Sequence, residues 1–406
     1  MPTSVVIVGA GQAGFQIAAS LRTEGFDGQI TLVGDEPELP YNRPPLSKGF
    51  LTGREGEDDL PFRPSSFYDE HAIRMRMGVS AVGLDRAAKQ VALDSGEALA
   101  YDFLVLATGA RVRPVTTAPI PGLLYLRTSA DARQFKRMME SAESLIAIGT
   151  GFIGLEAAAA AAKSGKRVTV VAAEDRPMSR VVSPLISEHF RRLHELHGVR
   201  LMLNQLVDRV EPGVRVHLKS GTILDAPLAI VGIGVIPNIE LAQTSELRTA
   251  NGIVVDEYLR TSDQSIFAIG DCADHPNRFS PEGRCRLESV QNAVDQARCV
   301  AATIAGKPRP YTAVPWFWTE QYETKLQIAG IPAASVQFIT RGDAAASAFS
   351  IFGFRKDGTL GSVESVNRPV DHIQARKLLE TNVLIRPDQA ANLSFDLKAL
   401  TRPRVP

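Results

Sequence analysis

A glycine-rich loop that follows a short apolar strand and opens a helix occurs twice in this 406-residue chain. The first copy, Gly9–Gly14 (GAGQAG), comes after the strand Ser4–Val8, and an apolar helical pattern continues behind it to Gly25. In such a loop the first glycine permits a tight turn, the second lets the backbone approach a pyrophosphate, and the third allows close helix–strand packing. A second strand, Ile30–Val33, then leads to Asp35, where an acidic side chain bonds a ribose in dinucleotide-binding units.

The second copy, Gly149–Gly154 (GTGFIG), lies between the strand Leu145–Ile148 and an alanine-rich helix, Glu156–Lys163, and the strand Arg167–Val171 follows. The helix N-terminus in each copy would present free N–H groups and a positive dipole end to phosphates. One such pattern is a weak signal, but two copies with the same flanking elements argue against chance turns. The sequence therefore predicts an α/β protein with two Rossmann-like dinucleotide-binding domains.

Two further apolar strands end in small residues, as strands do where a ligand approaches a doubly wound sheet. Tyr101–Leu106 is followed by Ala107, Thr108 and Gly109, and Ile266–Ile269 is followed by Gly270 and Asp271. Asp271 is a candidate to accept hydrogen bonds from a cofactor's sugar-alcohol chain, and helix capping is its alternative role.

Charge and cysteine content argue against several classes of protein. The 45 Lys and Arg residues balance 45 Asp and Glu residues, so no bulk positive charge favours nucleic acid. The three cysteines, Cys272, Cys285 and Cys299, are too few and too widely spaced for a disulfide framework or a zinc site. No apolar run approaches the ~18–20 residues of a membrane span, and the N-terminal residues lack a secretory signal. We therefore expect a cytoplasmic protein with no metal, membrane or nucleic-acid partner.

The chain resembles the two-dinucleotide flavoprotein reductases with a glutathione-reductase-like fold, in which the first glycine motif binds FAD and the inserted second motif binds NAD(P). Further segments narrow the resemblance: Pro40–Lys48 (PYNRPPLSK), Glu288–Ala293 (ESVQNA), Pro315–Trp318 (PWFW) and Val366–Pro369 (VNRP). Together they are similar to the oxygenase-coupled NADH–ferredoxin reductases of the putidaredoxin reductase type.

The resemblance implies that one domain is inserted in another. We predict an FAD domain from residues 1–112 and 246–313, with an NAD domain, 113–245, inserted in it. Residues 314–406 are predicted to form a C-terminal α+β interface domain, because Phe349–Phe354 and Leu360–Val366 flank a hairpin signal and His372–Glu380 has a helical pattern. An antiparallel sheet with a covering helix is expected there.

The glycine loops and the resemblance together imply two sets of cofactor contacts. Val290 and Gln291 open a helical pattern whose N-terminus would stabilise negative charge on reduced flavin. The predicted FAD set is Gly9, Gly11, Ala13, Gly14, Asp35, Arg43, Lys48, Ala81, Thr108, Gly109, Arg127, Asp271, Val290 and Gln291. The predicted NAD set is Gly149, Gly151, Phe152, Ile153, Gly154, Glu156, Glu174 and Gly234.

Lys48 and Glu156 are the predicted catalytic pair. In the resembling family the lysine lies beside the flavin and the glutamate reaches toward the nicotinamide, so a salt bridge would hold the lysine near flavin N5 by positioning and electrostatics. The alternative for Glu156, on the first turn of its helix, is stabilisation of the helix dipole alone. No cysteine lies between Asp35 and Lys48, which argues against thiol chemistry, and all three cysteines are expected to be buried packing residues.

Cofactor choice depends on the loop after Val171. Alanines occupy positions 172 and 173, where an acidic residue is expected, and Glu174 and Asp175 then precede Arg176. Two acidic groups would repel a 2′-phosphate more than one arginine would attract it, so we predict NADH over NADPH. His189, His194 and His197 are expected on a solvated helix face rather than around a metal.

The predicted function is electron transfer from NADH through FAD to a 2Fe–2S ferredoxin that feeds a cytochrome monooxygenase or related oxygenase. A rubredoxin or other small-carrier reductase is the alternative enzyme, and a redox-responsive FAD- and NADH-binding protein like the apoptosis-inducing flavoproteins is the alternative class. The resemblance places Arg298 and Trp318 at the ferredoxin-docking surface of a monomer or weak dimer.

Overall fold

Residues 3–401, the part of the chain that the computed structural model describes, form a mixture of helices and strands. The helices are α1 (Gln12–Thr23), α2 (Ser65–Glu70), α3 (Ser129–Ser141), α4 (Phe152–Lys163), α5 (Pro184–Leu196), α6 (Glu240–Thr244), α7 (Val290–Ile304), α8 (Pro369–Thr381) and α9 (Pro387–Ala391). None of the helices in this part of the chain is long and apolar enough to cross a bilayer.

The strands in the first half of the chain are β1 (Ser4–Val8), β2 (Gln29–Gly34), β3 (Ile73–Met77), β4 (Ala81–Asp85), β5 (Gln90–Leu93), β6 (Ala98–Ala100), β7 (Phe103–Leu106), β8 (Ala110–Val112), β9 (Leu123–Tyr125), β10 (Ser144–Ile148), β11 (Arg167–Val171) and β12 (Arg200–Met202). Those in the second half are β13 (Val207–Glu211), β14 (Arg215–Leu218), β15 (Ile223–Asp225), β16 (Leu228–Val231), β17 (Val235–Pro237), β18 (Ile253–Val254), β19 (Ile266–Ala268), β20 (Ala273–Pro276), β21 (Arg284–Cys285), β22 (Trp316–Gln321), β23 (Thr324–Gly330), β24 (Gln337–Gly342), β25 (Phe349–Phe354) and β26 (Leu360–Val366). These elements form two units, which we call the first unit (3–42, 57–111 and 236–315) and the second unit (43–56, 112–235 and 316–401).

The first unit is built on a five-stranded parallel sheet in the order β19-β7-β1-β2-β3. Consecutive residues of β1 are buried, from Val5 at 1% exposed to Val8 at 6%, as in a parallel sheet covered on both faces. Helix α1 follows β1 directly and packs against α7. Because all five strands are parallel, their carboxyl ends meet at one edge, where β1, β7 and β19 lead into the predicted FAD residues.

The second unit contains a five-stranded parallel sheet, β12-β11-β10-β16-β9, and a five-stranded antiparallel sheet, β22-β23-β26-β25-β24. The β25–β26 hairpin turns through Lys356, Asp357 and Gly358, and α8 packs on β23 and β26, so the predicted C-terminal sheet and its covering helix are confirmed. The predicted α/β class, with two dinucleotide-binding motifs and a C-terminal antiparallel sheet, is confirmed as well. The boundaries of the FAD, NAD and C-terminal domains stay a prediction.

One helix boundary corrects the sequence analysis. Helix α4 begins at Phe152, with Gly151 as its N-cap, because the glycine loop passes directly into the helix. Glu156 is therefore the fifth residue of α4 and lies in its second turn, not its first. The dipole effect falls off within the first turn, which weakens the purely structural explanation for this glutamate.

Candidate active site

In the first glycine loop, a side chain at one glycine would face open space, whereas side chains at two others would collide with the backbone. A Cβ on Gly9, whose φ is +108°, would lie 2.1 Å from the Ala107 carbonyl oxygen, and a Cβ on Gly14 would lie 1.8 Å from the Gly9 carbonyl oxygen. A Cβ on Gly11 would meet nothing within 4 Å. The loop therefore fits FAD: two glycines hold strand and helix together, and the middle one leaves room for a pyrophosphate.

The second loop repeats this arrangement. A Cβ on Gly149, whose φ is +104°, would lie 2.4 Å from the Gly232 carbonyl oxygen, and one on Gly154 would lie 2.5 Å from the Gly149 carbonyl oxygen. A Cβ on Gly151 would make an ordinary 3.5 Å contact with Gly232. This loop fits the pyrophosphate of a nicotinamide dinucleotide for the same physical reason.

Substitution of the middle glycines separates binding from folding. We expect Gly11→Ala to fold but to weaken FAD binding on the order of tenfold or more, a free-energy loss of about 1.4 kcal/mol or more, because its methyl group occupies only the space that the cofactor needs. Flavin retention after dialysis measures this, and Gly151→Ala is the matched control that should keep FAD and lose NADH affinity. Equal FAD binding in wild type and Gly11→Ala would contradict the assignment.

Several predicted FAD residues follow the carboxyl ends of strands in the first unit, where hydrogen bonds hold them. Thr108 donates from Oγ1 to the Asn238 carbonyl oxygen at 2.6 Å, and Asn238 returns a bond from Nδ2 to the Thr108 carbonyl oxygen at 2.9 Å. The Asp271 carbonyl oxygen accepts a bond from Arg286 at 2.9 Å, which holds the turn after β19. Helix α7 begins at Val290, and the Ser289 side chain caps it. Val290 and Gln291 thus occupy the first turn, where the backbone N–H groups point out of the start of the helix.

The other predicted FAD residues are distributed between the two units. Asp35 is exposed directly after β2, and Ala81 is half-buried at the start of β4. Arg43 and Arg127 lie in the second unit, where Arg43 Nη1 donates to the Arg127 carbonyl oxygen at 2.5 Å. Arg127 immediately precedes the capping box of α3. Its position is therefore set by a helix start, not by a loose loop.

Lys48 and Glu156 form a buried ion pair. Lys48 Nζ lies 2.8 Å from Glu156 Oε2, and the two side chains are 15% and 2% exposed. Ser47 donates to the same oxygen at 2.5 Å, and Thr319 donates to Oε1 at 2.6 Å. Both carboxylate oxygens thus have donors, which offset the cost of burying the carboxylate. A carboxylate held in this way keeps the lysine ammonium in one place.

Comparisons with known proteins identify the family of this chain. Residues 3–297 match the model of the pyridine nucleotide-disulphide oxidoreductase family, and residues 316–401 match a reductase C-terminal domain. Rhodocoxin reductase of Rhodococcus erythropolis is 51% identical over 401 residues, covering 97% of this chain and 93% of that protein. The chain belongs to the pyridine nucleotide-disulphide oxidoreductases. Within that family it is a reductase of the putidaredoxin reductase type, as the sequence predicts.

Two solved structures each match 98% of this chain. The ferredoxin reductase for the CYP199A2 system of Rhodopseudomonas palustris has a TM-score of 0.94 and 44% identity, covering 98% of this chain and all of that one. The covalent putidaredoxin reductase–putidaredoxin complex has a TM-score of 0.94 and 38% identity, covering 98% of each chain. Reductases of this family use FAD and NAD(P)H, so the predicted cofactors of this oxidoreductase are confirmed.

The cysteines of this reductase have the environment of packing residues, with one correction. Cys272 and Cys299 are buried, but Cys285 is partly exposed on the short strand β21. All three are free. Burial raises the pKa of Cys285 to about 12 and that of Cys299 to about 11, and it raises the pKa of Cys272 as well. Thiols held protonated in this way are poor nucleophiles.

The histidines at α5 also differ from the prediction. His194 is fully buried, not on a solvated face, because it lies on the side of the amphipathic α5 that packs inward with Phe190. Burial lowers the pKa of His194 to about 4, so it is neutral at physiological pH. His189 is half-buried and His197 is exposed. Within residues 3–401 no group of three or more His, Cys, Asp or Glu side chains could hold a metal.

The loop after β11 holds the predicted specificity residues. Arg176 is restrained: its guanidinium donates to the Ser187 hydroxyl at 2.6 Å and to the carbonyl oxygens of Ser179 and Val182 at 2.7 and 3.0 Å. Glu174 is half-buried and Asp175 is exposed. The guanidinium of Arg176, which would attract a 2′-phosphate, is thus held by hydrogen bonds within the protein. These bonds do not involve the carboxylates of Glu174 and Asp175.

Aromatic residues lie at the N-terminus of α4 and at the start of β22. Phe152 meets Phe317 edge-on, with ring centroids 4.9 Å apart, and Ile153 beside it is 40% exposed. Trp316 and Trp318 lie on the opposite face of β22, with ring centroids 5.6 Å apart. Gly234, the last of the predicted NAD residues, has a φ of +106°.

Two partners of Glu156 were not predicted from the sequence. Ser47 lies inside the segment Pro40–Lys48 that the resemblance singled out, and Thr319 directly follows the segment Pro315–Trp318. A hydroxyl next to a predicted lysine or tryptophan carries no pattern of its own. The three-dimensional contact with Glu156 is what identifies them.

Proposed function

We propose that this reductase passes electrons from NADH, through bound FAD, to a 2Fe–2S ferredoxin that serves an oxygenase. The observation that carries the proposal is the buried Lys48–Glu156 pair, together with the lack of any cysteine in the segment 35–48 that leads to Lys48. The names of the similar proteins, rhodocoxin reductase and putidaredoxin reductase, support a small iron–sulfur carrier as the acceptor. Cytoplasmic location and a monomer or weak dimer stay predictions.

Each set of residues has a defined task in this proposal. FAD, when bound, supplies the chemistry: it accepts a hydride and releases electrons singly. The Gly9–Gly14 loop and the N-terminus of α7 would hold that cofactor, and the Gly149–Gly154 loop would hold NADH. Glu156 orients the Lys48 ammonium, and the ammonium places a fixed positive charge where negative charge develops. No proton transfer by either side chain is needed.

The direct test is reduction of the purified holoenzyme by NADH, followed by turnover with ferredoxin and cytochrome c. We expect the flavin absorbance to bleach with no gain of free thiols, because the segment 35–48 contains no cysteine and burial keeps the three thiols protonated. Two thiols gained per NADH would overturn the proposal. Faster turnover with rubredoxin would favour the small-carrier alternative, and a long-lived charge-transfer complex without turnover would favour a redox-responsive binding protein.

We expect NADH to exceed NADPH in kcat/KM by about tenfold or more, a difference of about 1.4 kcal/mol or more in binding the transition state. The reason is that Arg176 is committed to Ser187 and two carbonyl oxygens, whereas Glu174 and Asp175 would repel a 2′-phosphate. Steady-state kinetics with both cofactors at one ionic strength measure the ratio. The double variant Glu174→Gln/Asp175→Asn should narrow it, and equal values in the wild type would show that the loop does not discriminate.

Arg298 is the proposed docking residue on α7. Its side chain is 58% exposed and only loosely paired with Asp295, at 3.5 Å, so it can offer positive charge to an acidic carrier. We expect Arg298→Glu to raise the KM for ferredoxin severalfold and to flatten its salt dependence, while ferricyanide reduction stays near the wild-type rate. Arg200→Glu, the same charge change on an exposed residue of the second unit, is the control. Loss of both activities in Arg298→Glu would remove this residue from the docking surface.

A further inference from the structure

A line of polar side chains leads from the Glu156 carboxylate to Tyr322, and its inner members are buried. Thr319 Oγ1 lies 2.6 Å from Glu156 Oε1, and Gln321 Nε2 lies 3.2 Å from Thr319 Oγ1. His194 Nε2 lies 2.8 Å from Gln321 Oε1, and the Tyr322 hydroxyl lies 3.2 Å from His194 Nδ1. Thr319, Gln321 and His194 are each at most 1% exposed, whereas Tyr322 is half-exposed.

The proton positions along this line follow from the acceptors. Gln321 Oε1 has no proton to give, so His194 must donate from Nε2. Burial lowers the pKa of His194 to about 4, so the ring is neutral at pH 7 and its Nδ1 is an acceptor. Burial also raises the pKa of Tyr322, which therefore keeps its proton and donates to Nδ1. The Gln321 amide donates to Thr319, and the Thr319 hydroxyl donates to Glu156.

All four hydrogen bonds thus point the same way, toward the carboxylate. Bonds aligned head to tail in a low-dielectric interior polarise one another, so each strengthens the next. Lys48 faces Glu156 Oε2 at the inner end of the line, and the titratable ring of His197 stacks on Tyr322 at the outer end, with centroids 3.6 Å apart. The ammonium holds one carboxylate oxygen and the aligned chain holds the other.

We propose that Thr319, Gln321 and His194 are positioning residues for hydride transfer, which fix the Glu156 carboxylate, and through it Lys48, in the reactive arrangement. The proposal rests on the proposed function, since it deepens the role of the same ion pair. Three segments supply the chain: α4 carries Glu156, α5 carries His194, and β22 carries Thr319 and Gln321 on one face because strand side chains alternate. The C-terminal sheet is therefore part of the catalytic arrangement.

His194 gives the sharpest variants, because the Nε2 donor can be removed or replaced. We expect His194→Leu to lower the limiting rate of flavin reduction by NADH about tenfold, because the variant loses a buried hydrogen bond. The dissociation constant for NADH should stay unchanged. His194→Gln keeps an amide N–H near the Nε2 position and should recover to within about twofold of the wild type. Stopped-flow measurements on the holoenzyme separate the rate from the affinity.

The control is Arg192→Gln, an exposed side chain on the same helix that pairs with Glu188 and lies outside the line, and this variant should reduce flavin at the wild-type rate. A His194→Leu rate equal to that of wild type, or a His194→Gln rate as low as that of His194→Leu, would overturn the positioning role. A wild-type holoenzyme that NADH does not reduce would instead overturn the proposed function. The two failures are therefore distinguishable.

The tautomer can be read in the wild-type holoenzyme, so the proposal does not depend on a variant that folds. In ¹⁵N-histidine NMR spectra, with His194→Gln used to assign the resonance, we expect a proton on Nε2, none on Nδ1, and no titration until the pH falls toward 4. A proton on Nδ1 of the neutral ring would reverse the direction of the hydrogen bonds, and titration near the ordinary histidine pKa would show that the ring is not held neutral by burial; either result would overturn the proposal.

Discussion

Glu156→Gln is expected to slow flavin reduction by NADH about a hundredfold, the cost of a small misplacement of a reacting group, while FAD stays bound. Three donors, from Lys48, Ser47 and Thr319, converge on the two carboxylate oxygens. A glutamine offers one acceptor oxygen, so in either orientation its NH₂ group faces a donor. The Lys48 ammonium loses its counter-charge and its fixed position.

The measurement is stopped-flow bleaching of the flavin at several NADH concentrations, with visible absorbance recording the bound FAD. Glu143→Gln, a side chain 88% exposed in the same unit, is the matched control and should keep the wild-type rate. Loss of FAD from Glu156→Gln would indicate a structural role. An unchanged limiting rate would show that the ion pair takes no part in hydride transfer.

Lys48→Met is expected to destabilise the second unit by about 3–5 kcal/mol, the range measured when one partner of a buried ion pair is removed. The Glu156 carboxylate, which is buried at 3% exposure, would then keep the Ser47 and Thr319 hydroxyls but no counter-charge. The double variant Lys48→Met/Glu156→Gln removes the isolated charge and should regain much of the loss.

Tryptophan fluorescence in a urea titration measures this loss where it occurs, because both tryptophans of the chain, Trp316 and Trp318, lie in the second unit. Lys219→Met, which removes an exposed lysine of the same unit, should stay within about 0.5 kcal/mol of wild type. A double variant less stable than Lys48→Met alone would show that the carboxylate is not a buried, unpaired charge in the single variant.

Several parts of this site could be predicted because local spacing carries them. The two glycine loops depend on a strand, a tight turn and a helix within a few residues, and both appear with the geometry that the pattern requires. The antiparallel C-terminal hairpin follows from apolar strands that flank a turn signal. The Lys48–Glu156 pair came from family resemblance, since nothing in the spacing of two residues 108 positions apart indicates contact.

The amino-acid sequence by itself determined the α/β class, the two dinucleotide-binding loops, the reductase family and the lack of a redox cysteine pair near the flavin motif. Tertiary structure alone decided which hydroxyls hold Glu156, that His194 is buried, and that residues 43–56 group with the second glycine loop. The physical reason is the distance along the sequence between the residues that interact. Turns, caps and amphipathic periods depend on neighbours within one or two turns of chain. The bond from Thr319 to Glu156 joins residues 163 positions apart, and it exists because β22 packs against α4.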